Sequence, residues 1–522
     1  MPHVSGEERN QLIMLSLEST VAPDAFVRVI DAFVDATDMG SFGFAHATCK
    51  DEGRPSFHPS VLMKLYLYGY HYGIRTSRKL EREARLNMEA MWLTSCQNPK
   101  YKTIADFRKD HAKAFRQVFR SFVLLLKSLD LVDGKTIAID SFKIRAQNSL
   151  KNNLNQKKID RHLEYIDNKI SEYENMLDQA DSEDDRKELK EKIKQQEIRR
   201  KGYQQAEQQL KESGQEQMSL TDPDARSVVL HRNIVNVGYN VQASSDSKHK
   251  LLVEYETGDV NDNHALAEMA ENTQKLLAPE SMDVLADKGY HTGEELQRCE
   301  ELDITTYVSP KAPVIKDPNV FPVTDFIYNE QDNYYTCPAG EKMKTNGTWH
   351  NHSGKGKTPA FRFQRYTTPV CKNCAIREQC TKGKANGRAI DRSEYAGAIE
   401  RNNKRVIQNP DYYRQRQQIT EHPFGTLKRQ RGFTFTLMKG KEKVLGEVGV
   451  VFIGYNLSRC VSIMGIDNLI KALKNSTIVL LLIKTRLIPG FFADVLHKTI
   501  PKYFSVKQNY YRFNGRQMNL EW

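Results

Sequence analysis

Three carboxylates stand where apolar runs give out. Asp140 follows Ile137, Ala138 and Ile139; Asp287 follows the run 282–286 and precedes Lys288, Gly289 and Tyr290; Glu421 opens the stretch Glu421, His422, Pro423, Phe424, Gly425. The first two come after segments that read as buried strands, 136–139 and 282–286, and the third lies in a basic, helix-like stretch. They are 147 and 134 residues apart, so only a fold can bring them together. Taken singly, an acid in such a place is a turn residue or a helix cap. As a set in this order they suit a two-metal phosphoryl-transfer site. Hard ions such as Mg2+ or Mn2+ take oxygen ligands, keep several waters, and are commonly held by few carboxylates together with the substrate's phosphates.

The charge of the chain points to the same kind of substrate. Its 522 residues carry 77 Lys and Arg against 66 Asp and Glu, a net +11. Between 401 and 432 stand Arg401, Lys404, Arg405, Arg414, Arg416, Lys428, Arg429 and Arg431 against only Asp411 and Glu421, a local +6. A polyanionic backbone would lie there, with Arg414, Arg416, Lys428, Arg429 and Arg431 as the DNA-binding candidates; a solvated cationic helix is the alternative. A second basic group, Arg75, Arg78, Lys79, Arg82 and Arg85, is partly balanced by Glu81 and Glu83 and fits exposed helix faces equally well.

Four of the eight cysteines fall together: Cys337, the pair Cys371 and Cys374 in a Cys-x-x-Cys, and Cys380. In a chain without secretory features this spacing reads as a tetrahedral structural Zn2+ site, with free thiols as the alternative and His350 and His352 as rival ligands. Nearby Lys342, Lys344, Lys355, Lys357, Arg362 and Arg365 alternate with Trp349, Phe361, Phe363 and Tyr366, a mixture suited to nucleic acid. Cys49, Cys96, Cys299 and Cys460 are scattered and read as core residues.

These groups need a frame. Residues 10–130 read as helical, with Val61, Leu62, Leu65 and Leu67, then Phe115, Val118, Phe119, Phe122 and Val123, at helical spacings; Thr103 and Asp106 resemble a capped helix start. From 148 to 217 the chain turns polar, yet Ile159, Leu163, Ile166, Ile170, Tyr173 and Leu177 keep a heptad seam. It weakens at Leu189, Ile193, Tyr203 and Leu210 after the acidic break 181–185, which predicts an inserted helical hairpin, a charged disordered linker being the alternative. Segments 233–243 and 250–257 alternate like strands around a turn at Asp246 and Ser247. A helix over 263–277, the strand 282–286, a helix over 293–299 and a strand over 304–309 follow. Asp262, Asn263 and His264 read as a helix N-cap region without a metal, and Tyr290 and His291 as packing and DNA-positioning residues. The N-terminus lacks the apolar core of a signal peptide, and 478–483 is too short to span a bilayer. A soluble protein is the expectation.

With these motifs in place, the chain resembles the DDE transposases of bacterial insertion sequences, most closely the eleven-eighty-two group related to the broader four and five families. The residues that carry the resemblance are Ala138–Ile139–Asp140, Thr221–Asp222–Pro223–Asp224–Ala225–Arg226, Gly238–Tyr239–Asn240–Val241–Gln242, Ala286–Asp287–Lys288–Gly289–Tyr290 and Glu421 through Lys428. It implies a metal-binding triad of Asp140, Asp287 and Glu421 on an α/β, ribonuclease H-like mixed-sheet core. Lys428, seven residues after Glu421, matches the family's lysine and on a helix lies two turns away on the same face. Gln417 stands where the family has an arginine, with Arg414 and Arg416 nearby. The expected organisation is a helical N-terminal domain (1–130), a catalytic core (131–147, 218–309 and 394–465), the inserted hairpin (148–217), a zinc-ribbon-like insertion (310–393) and a tail (466–522). The implied activity is metal-dependent cleavage at element ends and strand transfer into target DNA, in a homodimeric synaptic complex, in the cytoplasm at the nucleoid. A catalytically inactive, DNA-binding derivative and a structure-selective nuclease on the same core stay open.

Overall fold

The computed structural model describes residues 10–11, 14–48, 52, 55–148, 150–231, 234–312, 319–354, 360–381 and 387–476. Cys49, Lys355, Lys357 and the tail beyond 476 lie outside them. The chain divides into two compact units, one of residues 1–132 with 426–522 and one of 133–425.

The first unit is helical. Helices Phe26–Asp35, Pro59–His71, Ser77–Leu86, Met88–Leu93, Tyr101–Asp110 and Ala112–Ser128 precede the long Lys441–Met464 and the short Ile466–Asn475. Pro59 takes the first helical position, where a missing N–H is harmless, and His58 accepts from the Ser60 N–H. The apolar positions at helical spacing are buried as expected. The helix Lys441–Met464 is long and apolar enough to cross a membrane, but 83% of its apolar window is buried inside the protein, as suits a core helix. Gly446 lets it approach Ala112–Ser128 closely: a Cβ there would lie 2.6 Å from Ala112 Cα.

Two readings of this region need correction. Thr103 is inside its helix, which begins at Tyr101; the Tyr101 N–H goes to Glu81 Oε2 at 2.9 Å, so a carboxylate from another helix supplies the cap. Arg75 is not on an exposed face. It is 6% exposed, pairs with the buried Glu447 at 3.0 Å and lies over the rings of Phe433 and Phe435.

The second unit is built on a six-stranded mixed sheet. Its strands are β1 (Thr136–Arg145), β2 (Arg226–His231), β3 (Ile234–Asp246), β4 (Leu252–Gly258), β5 (Met282–Ala286) and β6 (Ile304–Val308). Strand β1 is central. It runs antiparallel to β3, with Asp140 opposite Ala243, and parallel to β5 over Thr136 to Ala138; β5 is parallel to β6. The far edge of β3 carries β2 along 234–238 and β4 along 240–245, both antiparallel. Strand β2 was not foreseen. Helices α3 (Leu266–Leu277) and α4 (Gly293–Glu301) connect β4 to β5 and β5 to β6.

The heptad seam does form a hairpin between β1 and β2. Its arms, α1 (Gln156–Asp178) and α2 (Glu183–Ser213), pack on each other. Asn155 and Ser182 cap their N-termini, the acids 183–185 fill the first turn of α2 where they complement the helix dipole, and Gly214 closes α2 at φ 64°. Leu154, Ile159, Ala206, Leu210 and Met218 form a small core at its base. After β6, two three-stranded sheets make a small module around Phe326, Tyr335, Met343, Tyr366 and Ile390. Helices α5 (Ala396–Gln408) and α6 (Pro410–Gly425) then return to the main sheet.

Candidate active site

The sequence placed Asp140 at the end of a strand, but it is the fifth of ten residues in β1. The alternation continues through buried Phe142 and Ile144, which the polar residues between them hide. What ends near Asp140 is the parallel pairing with β5, whose last partners are Ala138 and Leu285. Asp287 directly follows β5, accepts from the Gly289 N–H at 2.6 Å and starts a tight turn. Gly289 is required there, since a Cβ would come within 2.8 Å of Asp287 Oδ1. Two adjacent strands thus bring their acids to one place.

Helix α6 brings the third. Tyr412 donates to Asp283 Oδ2 and shares a hydrogen bond with Thr136 Oγ1, at 2.7 and 2.8 Å. Ile419 packs on Ala138 and Leu285, Arg416 Nη1 reaches Asp140 Oδ2 at 3.1 Å, and the rings of Phe424 and Phe142 lie 5.3 Å apart. The strand residues 136, 138, 140 and 142 share one face of β1, and the helix residues run in the same sense beside them. Six strand residues span roughly 20 Å and twelve helical residues roughly 18 Å, so strand and helix stay in step. Thr420, next to Glu421, also hydrogen-bonds Asp140. Glu421 is exposed and accepts from Gln417 Nε2 at 2.8 Å.

Burial holds the Asp140 carboxyl above the usual carboxylate range, and Asp287 adds to this. Arg416, the Ser141 N–H and Thr420 pull the other way. Tyr290 is fully buried, and burial first, then Asp262, Asp140 and Asp287, raises its hydroxyl well above its ordinary value. It donates to Gln242 Oε1. A neutral buried phenol of this kind packs and orients; it is no nucleophile. Burial lowers the His291 imidazole, whose Nε2 meets Asn403 Oδ1 at 2.9 Å.

A fourth acid at this place was missed. Asp262 caps no helix, because α3 begins at Leu266 without a side-chain cap. Its Oδ1 instead accepts from Asn240 Nδ2 and Gln242 Nε2, each at 2.7 Å. The available signal was the period of two between Asn240 and Gln242, two amides on one face of a strand.

The basic candidates are spread more widely than their sequence suggests. Arg416, expected on DNA, is the partner of Asp140, with the two side chains 19% and 25% exposed. Arg431 is buried, donates to Ser458 Oγ at 2.6 Å, and is pushed down to about 10 by its burial. Arg414 makes an exposed pair with Asp411, while Arg401 and Arg405 pair with Glu300. Five of the eight bases between 401 and 432 are therefore engaged within the chain. Arg429 is exposed and Lys428 half-buried. Pro423 lies inside α6, and a π-helical turn, Thr426–Gln430, follows it. Glu421 and Lys428 are therefore not separated by two regular α-turns.

Cys337, Cys371, Cys374 and Cys380 line one small pocket with Phe326, Met343, Arg377, Thr381 and Arg388. Burial, then the other three cysteines, raises the Cys380 thiol. Neither histidine lines it: His352 stacks on Phe361 and His350 leans on Phe363. Of the scattered cysteines, Cys299 and Cys460 are buried but Cys96 is exposed, a correction. No group of three or more His, Cys, Asp or Glu side chains stands ready to hold a metal among the described residues.

Comparison with known proteins gives two family matches. Residues 15–110 match a transposase domain (DUF772), and residues 336–461 match a transposase DDE domain. The second match contains Glu421, Lys428 and the four cysteines; Asp140 and Asp287 lie outside both. No curated protein matches the chain. Among solved structures it is similar to a piggyBac transposase synaptic complex with hairpin DNA, at 9% identity and a TM-score of 0.30 over 94% of this chain and 84% of that one. With a transposase domain near one end and a transposase DDE domain towards the other, the chain belongs to the DDE transposases of insertion sequences.

Proposed function

We propose that this transposase cleaves DNA at the ends of its element and transfers the cut strands into target DNA, with Asp140, Asp287 and Glu421 as the acids of the site. The observation that carries the assignment is the register of α6 on β1, which brings the helix bearing Glu421 alongside Asp140 and, through β5, Asp287. The strand order β4–β3–β1–β5–β6, with β3 antiparallel to both neighbours, supports a ribonuclease H-like core.

The donor set fits Mg2+ or Mn2+: all oxygens, few in number, on a rigid sheet and one helix. A bound ion of this kind would activate the attacking hydroxyl and stabilise the leaving oxygen of an in-line displacement. The chain's own part is to hold the carboxylates. Arg416 and Thr420 fix Asp140, the Gly289 N–H fixes Asp287, and Gln417 restrains Glu421 in the place of the family's arginine. Lys428, Arg429 and Arg414 are the DNA-phosphate contacts in this reading.

The four cysteines are inferred to hold a structural Zn2+. Their gathering in one pocket, with Gly387 packed directly against Cys371, supports this. Because both element ends must be joined to one target, a homodimer on paired ends, acting at the nucleoid, is the assembly implied.

Incubating the purified protein with DNA carrying the inverted repeats that flank its gene, plus Mg2+ or Mn2+ and a target plasmid, tests the reading. Cleavage with joined products is expected. Cleavage without joining would indicate a nuclease, and binding alone an inactive derivative.

A further inference from the structure

We propose that Asp262 is a fourth carboxylate of the divalent-metal site, standing beside Asp287. The inference rests on the site assignment above and extends it. The loop after β4 carries Asp262, and two amides from neighbouring β3 fix it: Asn240 Nδ2 and Gln242 Nε2 both donate to Oδ1 at 2.7 Å. Both amides are buried, at 2% and 1% exposure, so this oxygen is held by rigid donors.

The second oxygen is turned towards the acids. Oδ2 lies 3.5 Å from the point a Cβ on Gly289 would occupy, and Asp287 Oδ1 lies 2.8 Å from that point. Those distances together bound the separation of the two oxygens at 6.3 Å, within the span of one hydrated cation. Ser141 Oγ, next to Asp140, is 3.4 Å from the same Oδ2, a weak contact that leaves the oxygen available. Asn240 Oδ1 adds an independent pointer. It is a buried acceptor without a partner, on the amide whose nitrogen already serves Asp262, and metal-bound water is the kind of donor it suits.

Asp262→Asn is the discriminating variant, because an amide oxygen can still accept from Asn240 and Gln242 while the charge and second oxygen are lost. Mn2+ titration of the full-length protein, followed by calorimetry, should show affinity reduced about tenfold or more with the unfolding temperature unchanged. Unchanged Mn2+ affinity in Asp262→Asn, where Asp287→Asn loses binding, would overturn this inference and leave the site assignment standing. A wild-type protein that binds no Mn2+ would overturn both. A measurement on the wild type guards against a misfolded variant: Fe2+ in place of Mn2+, with ascorbate and peroxide, should cut the backbone near 262 as well as near 140 and 287. Scission near 140 and 287 with none near 262 would contradict the proposal.

Discussion

Asp140 sits in a mostly buried position with Arg416 on one oxygen, Thr420 beside it and Asp287 close enough to repel it. Arg416 is thus a positioning residue, and its substitution should be felt in stability. Arg416→Ala leaves a largely buried carboxylate short of a charged partner, and a loss of about 1–3 kcal/mol is expected, read from thermal or urea unfolding. If Arg416 served DNA alone, the substitution would instead weaken binding and lower its salt dependence with stability unchanged. Residue types and order made Asp140, Asp287 and Glu421 legible, because each follows or sits within a segment of clear period. Arg416 and Asp262 were not legible. Which charge an arginine meets, and which face of a loop an aspartate turns to, depend on contacts between β1 and α6 and between β3 and the loop after β4, and no local pattern encodes them.

Among the elements, the helix Lys441–Met464 carries the strongest internal demand. Its Glu447 is fully buried, meets Arg75 at 3.0 Å and Tyr70 at 2.9 Å, lies 3.9 Å from Arg108, and accepts from the backbone of Leu437 and Met438. Burial alone would raise this carboxyl, but Arg108, Arg75 and Thr436 outweigh it and the group is held below its ordinary value. The stability it contributes is therefore present above the ordinary carboxylate range and lost as pH falls through the lowered value. Glu447→Gln should destabilise the helical unit by about 3–5 kcal/mol, since two buried guanidinium groups lose their counter-charge. It should also remove that portion of the acid sensitivity. Equal acid sensitivity in wild type and variant, measured by unfolding between neutral and acid pH, would assign the effect to other groups. Helical spacing made this helix readable as core, whereas Arg75 looked like one of several surface bases because its partner is 372 residues away. The cysteine module gives a second element-scale prediction. Metal analysis should find one Zn2+ per chain, and Cys374→Ser should lose the ion and expose the module to proteolysis, since small metal sites draw much of their folding free energy from the ion. Absence of zinc from protein purified without chelator would refute it.

Across the whole molecule, the net +11 is less concentrated than a count along the sequence suggests, because five of eight bases around Glu421 are used internally. Sheet strands with clear alternation, the heptad hairpin and the helical N-terminal region could all be read from the chain. The true length of β1, the strand β2 and the π-turn after Pro423 could not, since polar residues between buried ones, a strand without clean alternation and a backbone change at proline leave weak signals. The account as a whole depends on the three acids acting together. Asp140→Asn, Asp287→Asn and Glu421→Gln each remove one ligand charge with little change of shape. Cleavage of end DNA in Mg2+ or Mn2+ should fall to background in all three, while end binding measured on the same preparations stays near that of the wild type. Cleavage near the normal rate in any one of them would remove that residue from the site and contradict the account.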